Sequence, residues 1–375
     1  MESGTRVYPS VDAVEQAWSR LADETRAAPF LWPGWCRAWL HAFGEGDLTI
    51  HTVWRDGRLV ALLPLLVDGR QVRSPTKDQT PLFGPLAIDA DAAERLVAAV
   101  AATGPSRLDL GYLDPRITPT AHAVAALRRR GHRPLRQQTL RAPFTDVTGE
   151  WAAFTTRLGK KRRAELRRSE RRLREQGDLR VEVFDGGADL DHLLAEGFRV
   201  EASGWKGAAG TAIQSTPTMR AFYTAVGHWA SKQGWLRLVF LRLDERAIAF
   251  EFILEHDDRL YDLKGGYDER YRTWGPGIWL MHHILREAFA DDTRCIEWLG
   301  TDDPYKLEWS DGTREHVTTT WFAPTVRGIA EHTCRSLWRT SRDRGRQLLR
   351  ERLPAPVIER MKAVAARAGG RRPGR

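Results

Sequence analysis

The stretch Tyr271–Phe289 reads YRTWGPGIWLMHHILREAF and joins a glycine-containing loop directly to a helix with apolar periodicity. Two glycines, one proline and two tryptophans are more than a chain reversal requires. Glycines let a backbone approach a bound anion closely, and the N–H groups at a helix N-terminus attract negative charge. The stretch therefore predicts either an anion-binding loop or an ordinary strand-to-helix turn.

Strands and short helices surround this loop in a regular order. The segment Leu236–Tyr267 reads as three strands, with turns at Asp244-Glu245 and at Asp257-Asp258. After the helix come a short strand in CIEWLG, a short helix in DDPYKLEWS and a last strand in HVTTTWF. This order predicts an α/β (α+β) fold with mixed, mostly antiparallel sheets flanked by helices.

The chain of 375 residues is too long for one typical core and suits two domains. Strands and helices alternate to about residue 145, including a hairpin at Asp56-Gly57, and a similar order then follows. We predict an N-terminal domain at 1–145, a second domain at 146–326 and a basic helical tail at 327–375. Within the second domain, Glu150–Gly177 is predicted as one helix that ends at Gly177.

The positive charge is concentrated in two segments. The net charge is +9, and the tail Arg327–Arg375 carries 14 basic and 4 acidic residues, so the rest of the chain is close to neutral. The tail is predicted to contact an anionic membrane surface or a polyanion, to be free in solvent, or to pack on the body. A second basic run, Arg157–Arg174, suits a solvated helix or a helix that contacts the phosphates of a ligand.

Several classes of protein are disfavoured. The longest apolar run, Leu59–Val67, is far shorter than the roughly 20 residues of a membrane span, and the first residues lack the apolar core of a signal peptide. The three cysteines are widely spaced, which disfavours a disulfide framework and a zinc site and suits the cytoplasm. His282 and His283 are adjacent and point about 100° apart on a helix, so we predict no metal.

The loop motif Arg272-x-x-Gly275-x-Gly277 resembles the acyl-CoA loop of the GNAT acyltransferases. Wider similarity makes the chain resemble the CelD-type, BioF2-like acetyltransferase family over about residues 29–326. This similarity is carried by PFLWPGWCRAW at Pro29–Trp39, GWKG at Gly204–Gly207, LKGGYDERY at Leu263–Tyr271 and WLGTDDPYKLEW at Trp298–Trp309.

The resemblance implies two tandem GNAT-like domains, as in the FemABX peptidyltransferases, with the site in the second domain. It implies transfer of an acyl group, acetyl from acetyl-CoA in the first instance, to an amine of a small molecule or a sugar or envelope precursor. The backbone of Arg272, Gly275, Gly277 and Ile278 would then bind the coenzyme. Two alternatives stay open: an aminoacyl-tRNA-dependent FemABX-like transferase, and a non-catalytic accessory protein of polysaccharide synthesis.

Acyl transfer from a thioester to an amine needs a base, an oxyanion donor and an acid for the thiolate. Asp268 is the first candidate for the base; Glu251, a carboxylate among apolar strand residues, is the second, and Asp262 is the third. Each has a structural alternative, a salt bridge or a cap. The oxyanion donor would be a backbone N–H within Leu260–Gly265, where a bulge at Gly265-Gly266 is expected.

The resemblance also implies that Tyr305 donates a proton to the leaving thiolate, with a packed core tyrosine as the alternative. Lys206 and Lys306 are candidates for binding phosphate or an acidic substrate, and either also suits a structural ion pair. Trp205 and Trp274 are candidates for the wall of a substrate groove, whereas most of the 15 tryptophans are expected in the core.

Overall fold

The computed structural model describes residues 4–69, 71–204, 207 and 210–352. The strands are β1 Gly4–Tyr8, β2 Asp47–Arg55, β3 Arg58–Asp68, β4 Gln71–Arg73, β5 Leu86–Ala87, β6 Arg107–Leu113, β7 Arg133–Asp146, β8 Leu179–Phe184, β9 Leu236–Leu243, β10 Arg246–His256, β11 Arg259–Tyr267, β12 Cys295–Glu297 and β13 Gly312–Phe322. The α-helices are α1 Glu15–Glu24, α2 Pro33–Phe43, α3 Ala90–Ala102, α4 Thr118–Arg129, α5 Trp151–Arg157, α6 Lys160–Arg174, α7 Leu190–Ala202, α8 Pro217–Gln233, α9 Pro276–Ala288, α10 Pro304–Leu307 and α11 Val326–Arg352.

All the strands of the described residues belong to one mixed sheet of 13 strands, in the order β1-β2-β3-β4-β6-β13-β7-β12-β11-β10-β9-β8, with β5 added beside β3. Each half of the chain contributes an antiparallel meander followed by one parallel neighbour. Strands β1–β4 lead to the parallel β6, and β8–β11 lead to the parallel β12. The predicted fold class, a mostly antiparallel mixed sheet flanked by helices, is confirmed.

The two halves exchange their last strands at the centre of the sheet. Strand β7 lies beside β12 of the second half, and β13 lies beside β6 of the first half. The two exchanged strands pair with each other from Gly312↔Phe144 to Phe322↔Arg133. The sheet is therefore continuous across residue 145, and the domain boundary proposed there stays a prediction.

Helices α2 and α8 form an apolar layer between the halves. The rings of Trp35 and Phe43 each lie 5.2 Å from the ring of Phe222, and Trp39 is fully buried beside them. Phe30 extends this cluster to Tyr261 of β11, with ring centroids 5.3 Å apart. Because this layer touches β11, the first half of the chain supports the strand that carries the candidate site.

The hairpins predicted around Asp56-Gly57, Asp244-Glu245 and Asp257-Asp258 are all present. The single helix predicted over Glu150–Gly177 is wrong, because the segment forms two helices, α5 and α6. The break occurs at Leu158, which takes an extended conformation and is buried in the core of the second half. Helix α6 ends at Arg174, before Gly177.

Candidate active site

A cleft opens in the sheet where β11 and β12 part. These parallel strands pair only from Arg259↔Cys295 to Tyr261↔Glu297, although β11 continues to Tyr267. In the described part of the chain, no strand pairs with this edge of β11 beyond Tyr261. The edge therefore faces the cleft with backbone donors and acceptors, which a ligand can bind as a neighbouring strand would.

The cleft has a volume of about 290 Å³. Its walls come from the end of α7, from β10 and β11, from the start of α9 and from α10. The polar side chains that line it are Glu201, Glu251, Asp262, Lys264, Tyr267, Tyr305 and Lys306. Leu263, Ile278 and Met281 add apolar surface. Such a mixture of apolar walls and few convergent polar groups is typical of a small-molecule site.

Two adjacent glycines in β11 make room for the site. Glu251 of β10 pairs across the sheet with Gly265, and its carboxylate occupies the space in which a Cβ of residue 265 would lie. Gly266 makes room on another side, since a Cβ there would lie 2.8 Å from the Cα of Glu201 in α7. The Gly265-Gly266 pair thus lets the carboxylate of Glu251 and the backbone of Glu201 lie close to one strand.

The predicted bulge is present, but at another position. The register between β10 and β11 shifts between Phe252↔Lys264 and Ile253↔Asp262, so Leu263 is the extra residue. The expectation of a bulge at Gly265-Gly266 is therefore wrong. The two glycines allow Glu251 and Glu201 to lie close to β11. The bulge at Leu263 instead changes the direction of the strand just where β12 has ended.

The glycine loop that contains Gly275 and Gly277 leads into the cleft. Gly275 takes a left-handed conformation with φ 65° and caps α9, Pro276 is the first helical residue, and Gly277 and Ile278 line the cleft. A Cβ on Gly277 would lie 2.8 Å from the Cδ1 of Tyr267, so glycine lets the helix start close to β11. The first-turn amides and the positive end of the helix dipole suit a bound anion.

The basic helix α6 holds this loop from behind. The hydroxyl of Ser169 donates a hydrogen bond to the carbonyl of Trp274, and its Oγ would lie 3.1 Å from a Cβ on Gly275. Ser169 and Leu166 are buried in this contact region. One face of the basic run is therefore a structural support for the loop, while most of its cations point to solvent.

Tyr305 and Lys306 of α10 also line the cleft. Desolvation raises the pKa of the Tyr305 hydroxyl above its ordinary value, and the negative charges of Asp262 and Glu251 raise this pKa further. The hydroxyl is therefore protonated at neutral pH and acts as a donor. The ammonium of Lys306 donates to the carbonyl of Leu299 at 2.9 Å, which fixes the loop between β12 and α10.

Asp268, the first candidate for the base, does not line the cleft. It is buried, caps the 3₁₀ helix Glu269–Trp274 by accepting from the Arg270 N–H, and pairs with the guanidinium of Arg270 at 2.5 Å. Arg246 lies 3.4 Å from the same carboxylate. Since its oxygens are directed at these partners, the geometry favours the structural alternative, in which Asp268 pins the loop, and its role as the base stays a prediction.

Arg272 lies on the same 3₁₀ helix, pairs with Glu269 at 3.2 Å and does not reach the cleft. The side chain of Trp274 packs against Tyr271 at the edge of the core, so the structure does not place it in the cleft wall. Trp205 and Lys206 lie outside the described residues. Trp279, Trp298 and Trp309 are buried in the core of the second half, in agreement with the expectation for most tryptophans.

Glu201 is a cleft residue that the sequence reasoning missed. It is 1% exposed, and its Oε2 accepts a hydrogen bond from the Ile213 N–H at 2.9 Å. A signal was available in the spacing of α7. Leu190, Leu194, Phe198 and Glu201 recur every three or four residues, so the glutamate lies on the apolar face of the helix.

Comparison with known proteins agrees with this geometry. Residues 160–307 match a family described as acetyltransferase (GNAT) domain. The matched segment contains β9 to β12, the glycine loop, α9 and α10, and so contains the whole lining of the cleft. Residues 160–307 are thus similar to a GNAT acetyltransferase domain. No curated protein matches the sequence significantly.

Solved structures share the fold at low sequence identity. A C-terminal domain from Agrobacterium fabrum, assigned by name to a lysylphosphatidylglycerol synthetase, has a TM-score of 0.53 at 12% identity over 88% of this chain and 97% of that chain. The enzyme L-PGS from Bacillus licheniformis has a TM-score of 0.51 at 12% identity, with coverages of 84% and 94%. FemX has a TM-score of 0.53 at 11% identity, with coverages of 84% and 97%.

Two features are absent from the described residues. None of the helices in that part of the chain is both long enough and apolar enough to cross a membrane. The same residues contain no group of three or more His, Cys, Asp or Glu side chains arranged to hold a metal ion.

Proposed function

We propose that the chain is an acyl-CoA-dependent N-acyltransferase that moves an acyl group, acetyl in the first instance, to the amine of a small molecule or a sugar or envelope precursor. One observation supports this most strongly. The cleft between β11 and β12 combines a strand edge, a helix N-terminus, buried carboxylates and a protonated tyrosine within about 290 Å³. A thioester donor and an amine acceptor need these four elements together.

The donor would lie along the parted strands. Its pyrophosphate would accept hydrogen bonds from the first-turn amides of Gly277 and Ile278, because these N–H groups have no acceptor within the helix. Pro276 has no N–H, so the two following amides carry this contact. The amide-containing arm of coenzyme A would pair with the open edge of β11, as an added strand does.

Glu251 is the base in this proposal. It is buried at 6% exposure, lines the cleft and is held beside the open strand by Gly265. Its carboxylate takes a proton from the acceptor amine, whose lone pair attacks the thioester carbonyl carbon. A backbone N–H of β11 donates to the developing oxyanion. Asp262, which also lines the cleft, is the second candidate for the base.

Tyr305 then acts as the acid. The carbon–sulfur bond breaks, the leaving thiolate takes the proton of the Tyr305 hydroxyl, and solvent restores that proton. The raised pKa of Tyr305 keeps the hydroxyl protonated until the thiolate forms. Substrate binding by Lys306, and by Trp205 and Lys206 outside the described residues, also stays part of the proposal.

An aminoacyl-tRNA donor is the alternative, and one observation favours it. Helix α6 exposes a run of arginines beside the loop, including Arg167, Arg168 and Arg171, and such a surface can bind phosphates.

Membership of the CelD-type, BioF2-like family, a cytoplasmic location and the domain bounds 1–145 and 146–326 are also proposals. They rest on the motifs, the cysteine pattern and the element order of the sequence.

The test is ligand-induced stabilisation followed by turnover. We expect acetyl-CoA and free coenzyme A to raise the melting temperature of the full chain, and tRNA to leave it unchanged. Release of free thiol over a panel of amines then identifies the acceptor. Glu251→Gln should retain acetyl-CoA binding and lose turnover by roughly 100-fold or more.

Other outcomes are equally informative. Stabilisation by tRNA but by no coenzyme A species would replace the acyl-CoA proposal with its alternative. Binding of acetyl-CoA without turnover of any amine would favour a non-catalytic accessory protein of polysaccharide synthesis. Full activity of Glu251→Gln would move the role of the base to Asp262.

A further inference from the structure

The C-terminal helix α11 packs on the body through small and polar residues. Gly328 is buried against Ala323, and the ring of His332 lies 5.4 Å from that of Phe322. Further along, Ser336 is half-buried, and Arg339 donates to the carbonyl of Arg136 in β7. These contact residues recur every three or four positions, so they form one face of the helix.

The opposite face is apolar and exposed. Val326, Leu337 and Trp338 are 89%, 64% and 63% exposed and are among the most exposed large apolar side chains in the described part of the chain. Val326 and Leu337 are eleven residues apart, which is three helical turns, so they share one stripe with Trp338 at its edge. A helix that packed only on its own body would direct these side chains inward.

Basic residues lie beside Trp338, at one edge of this stripe. Arg335 and Arg342 are exposed, and the guanidinium of Arg342 lies 5.2 Å from the ring of Trp338. The segment from Arg327 to the last residue carries a net charge of +10, while the rest of the chain is close to neutral. In the sequence, a second apolar pair, Leu348-Leu349, follows Leu337-Trp338 at the same interval of eleven residues.

We propose that α11 docks this enzyme on an anionic lipid surface. The helix would lie in the plane of the membrane interface, with Val326, Leu337 and Trp338 inserted among the lipids and the arginines on the phosphates. Tryptophan favours this depth, and each basic residue near an anionic surface adds attraction. The apolar stripe favours a bilayer over a nucleic acid, which would use the charges and leave the aliphatic side chains in water.

The exposed Cys334 allows a direct test with the full chain. It lies on α11, three and four residues before Leu337 and Trp338, whereas Cys36 and Cys295 are buried. We would label Cys334 with an environment-sensitive fluorophore and add vesicles of phosphatidylcholine alone or of equal parts phosphatidylcholine and phosphatidylglycerol. We expect a blue-shifted, stronger emission with the anionic vesicles only, and less of it at high salt.

Flotation of unlabelled protein with the same vesicles gives the second readout. Leu337→Ser combined with Trp338→Ser should weaken binding about tenfold, because two partly inserted apolar side chains are lost. Arg335→Glu combined with Arg342→Glu should also weaken it. Val183→Ser on β8 and the pair Arg128→Glu with Arg130→Glu on the α4 side are matched exposed controls that should bind as the unchanged protein.

Three results would overturn the proposal. The first is absence of binding to the anionic vesicles at low salt. The second is binding that neither α11 double variant reduces. The third is a dimer that depends on Trp338, or tRNA binding that depends on Arg335 and Arg342, in place of vesicle binding. All variants change exposed side chains, so an unchanged melting temperature would show that they fold.

Discussion

Gly265→Ala is the sharpest test of the proposed site. A Cβ built on residue 265 would lie 1.4 Å from the Oε2 of Glu251, whereas real Cβ atoms essentially never approach closer than 3.0 Å. The carboxylate must therefore move by about 1.6 Å, or the strands must separate by a similar distance. The perturbation adds one methyl group and removes no functional group.

The expected loss follows from this displacement. A catalytic group misplaced by about 1 Å can cost about 100-fold in rate, so kcat should fall by about 100-fold or more. That loss corresponds to about 2.7 kcal/mol in activation free energy. Because the added methyl group overlaps the buried carboxylate of Glu251, the free energy of unfolding should also fall by about 1–3 kcal/mol.

The assay is a double-mutant cycle with Glu251→Ala. In that background the carboxylate is absent, so Gly265→Ala should cost little in stability and nothing further in turnover. Chemical denaturation measures the free energies of unfolding of the four proteins in the cycle, and this measurement does not require the acceptor. Gly4→Ala in β1 is the matched control, since a Cβ on Gly4 would meet no atom within 4 Å.

Two results would refute the reasoning about Glu251. The first is wild-type turnover in Gly265→Ala. The second is an equal loss of stability in the presence and absence of the Glu251 carboxylate, which would show that the methyl group clashes with something else.

Three further predictions concern other residues. Tyr305→Phe should lower kcat by roughly 100-fold with unchanged coenzyme A affinity, measured by steady-state kinetics and calorimetry, and an unchanged kcat would remove Tyr305 as the acid. Asp268→Asn should lower the free energy of unfolding by about 1–2 kcal/mol, because the arginines that it pairs with are largely exposed, and a selective loss of turnover in a fully stable variant would return it to the catalytic candidates. Burial lowers the pKa of His282 from 6.5 to about 4, so the unfolded chain binds more protons between these values and stability falls as the pH falls from 6.5 to 4. His282→Gln should make the melting temperature less dependent on pH across this window, and an unchanged dependence would contradict the assignment.

Local patterns were sufficient for much of the fold. The hairpin turns were predicted because Asp and Gly tolerate positive φ, as Asp56 with φ 52° and Gly57 with φ 79° show. The loop around Gly275 was predicted from glycines followed by helical periodicity. The break at Leu158 was not predicted, because the segments on both sides have good helical propensity, although Gly159 caps the second helix and packing draws Leu158 into the core.

The site was predicted in part. Both Glu251 and Tyr305 were candidates and line the cleft, although their catalytic roles stay predictions. Asp268 was ranked above Glu251 because it adjoins the loop in the sequence. The closeness of Asp268 to the loop along the chain does not determine where its carboxylate points. In the structure this carboxylate forms ion pairs with two arginines and does not line the cleft.

The sequence by itself determined the elements, the glycine loop and the likeness of that loop to an acyl-CoA site, because these depend on residues that are neighbours along the chain. Only the tertiary structure decided the strand exchange between β7 and β13 and the cleft beyond Tyr261. It also decided that the Glu251 carboxylate lies against Gly265 and that the backbone of Glu201 lies against Gly266. Pairings between distant segments depend on the register and packing of the whole sheet, and a short stretch of sequence does not record them.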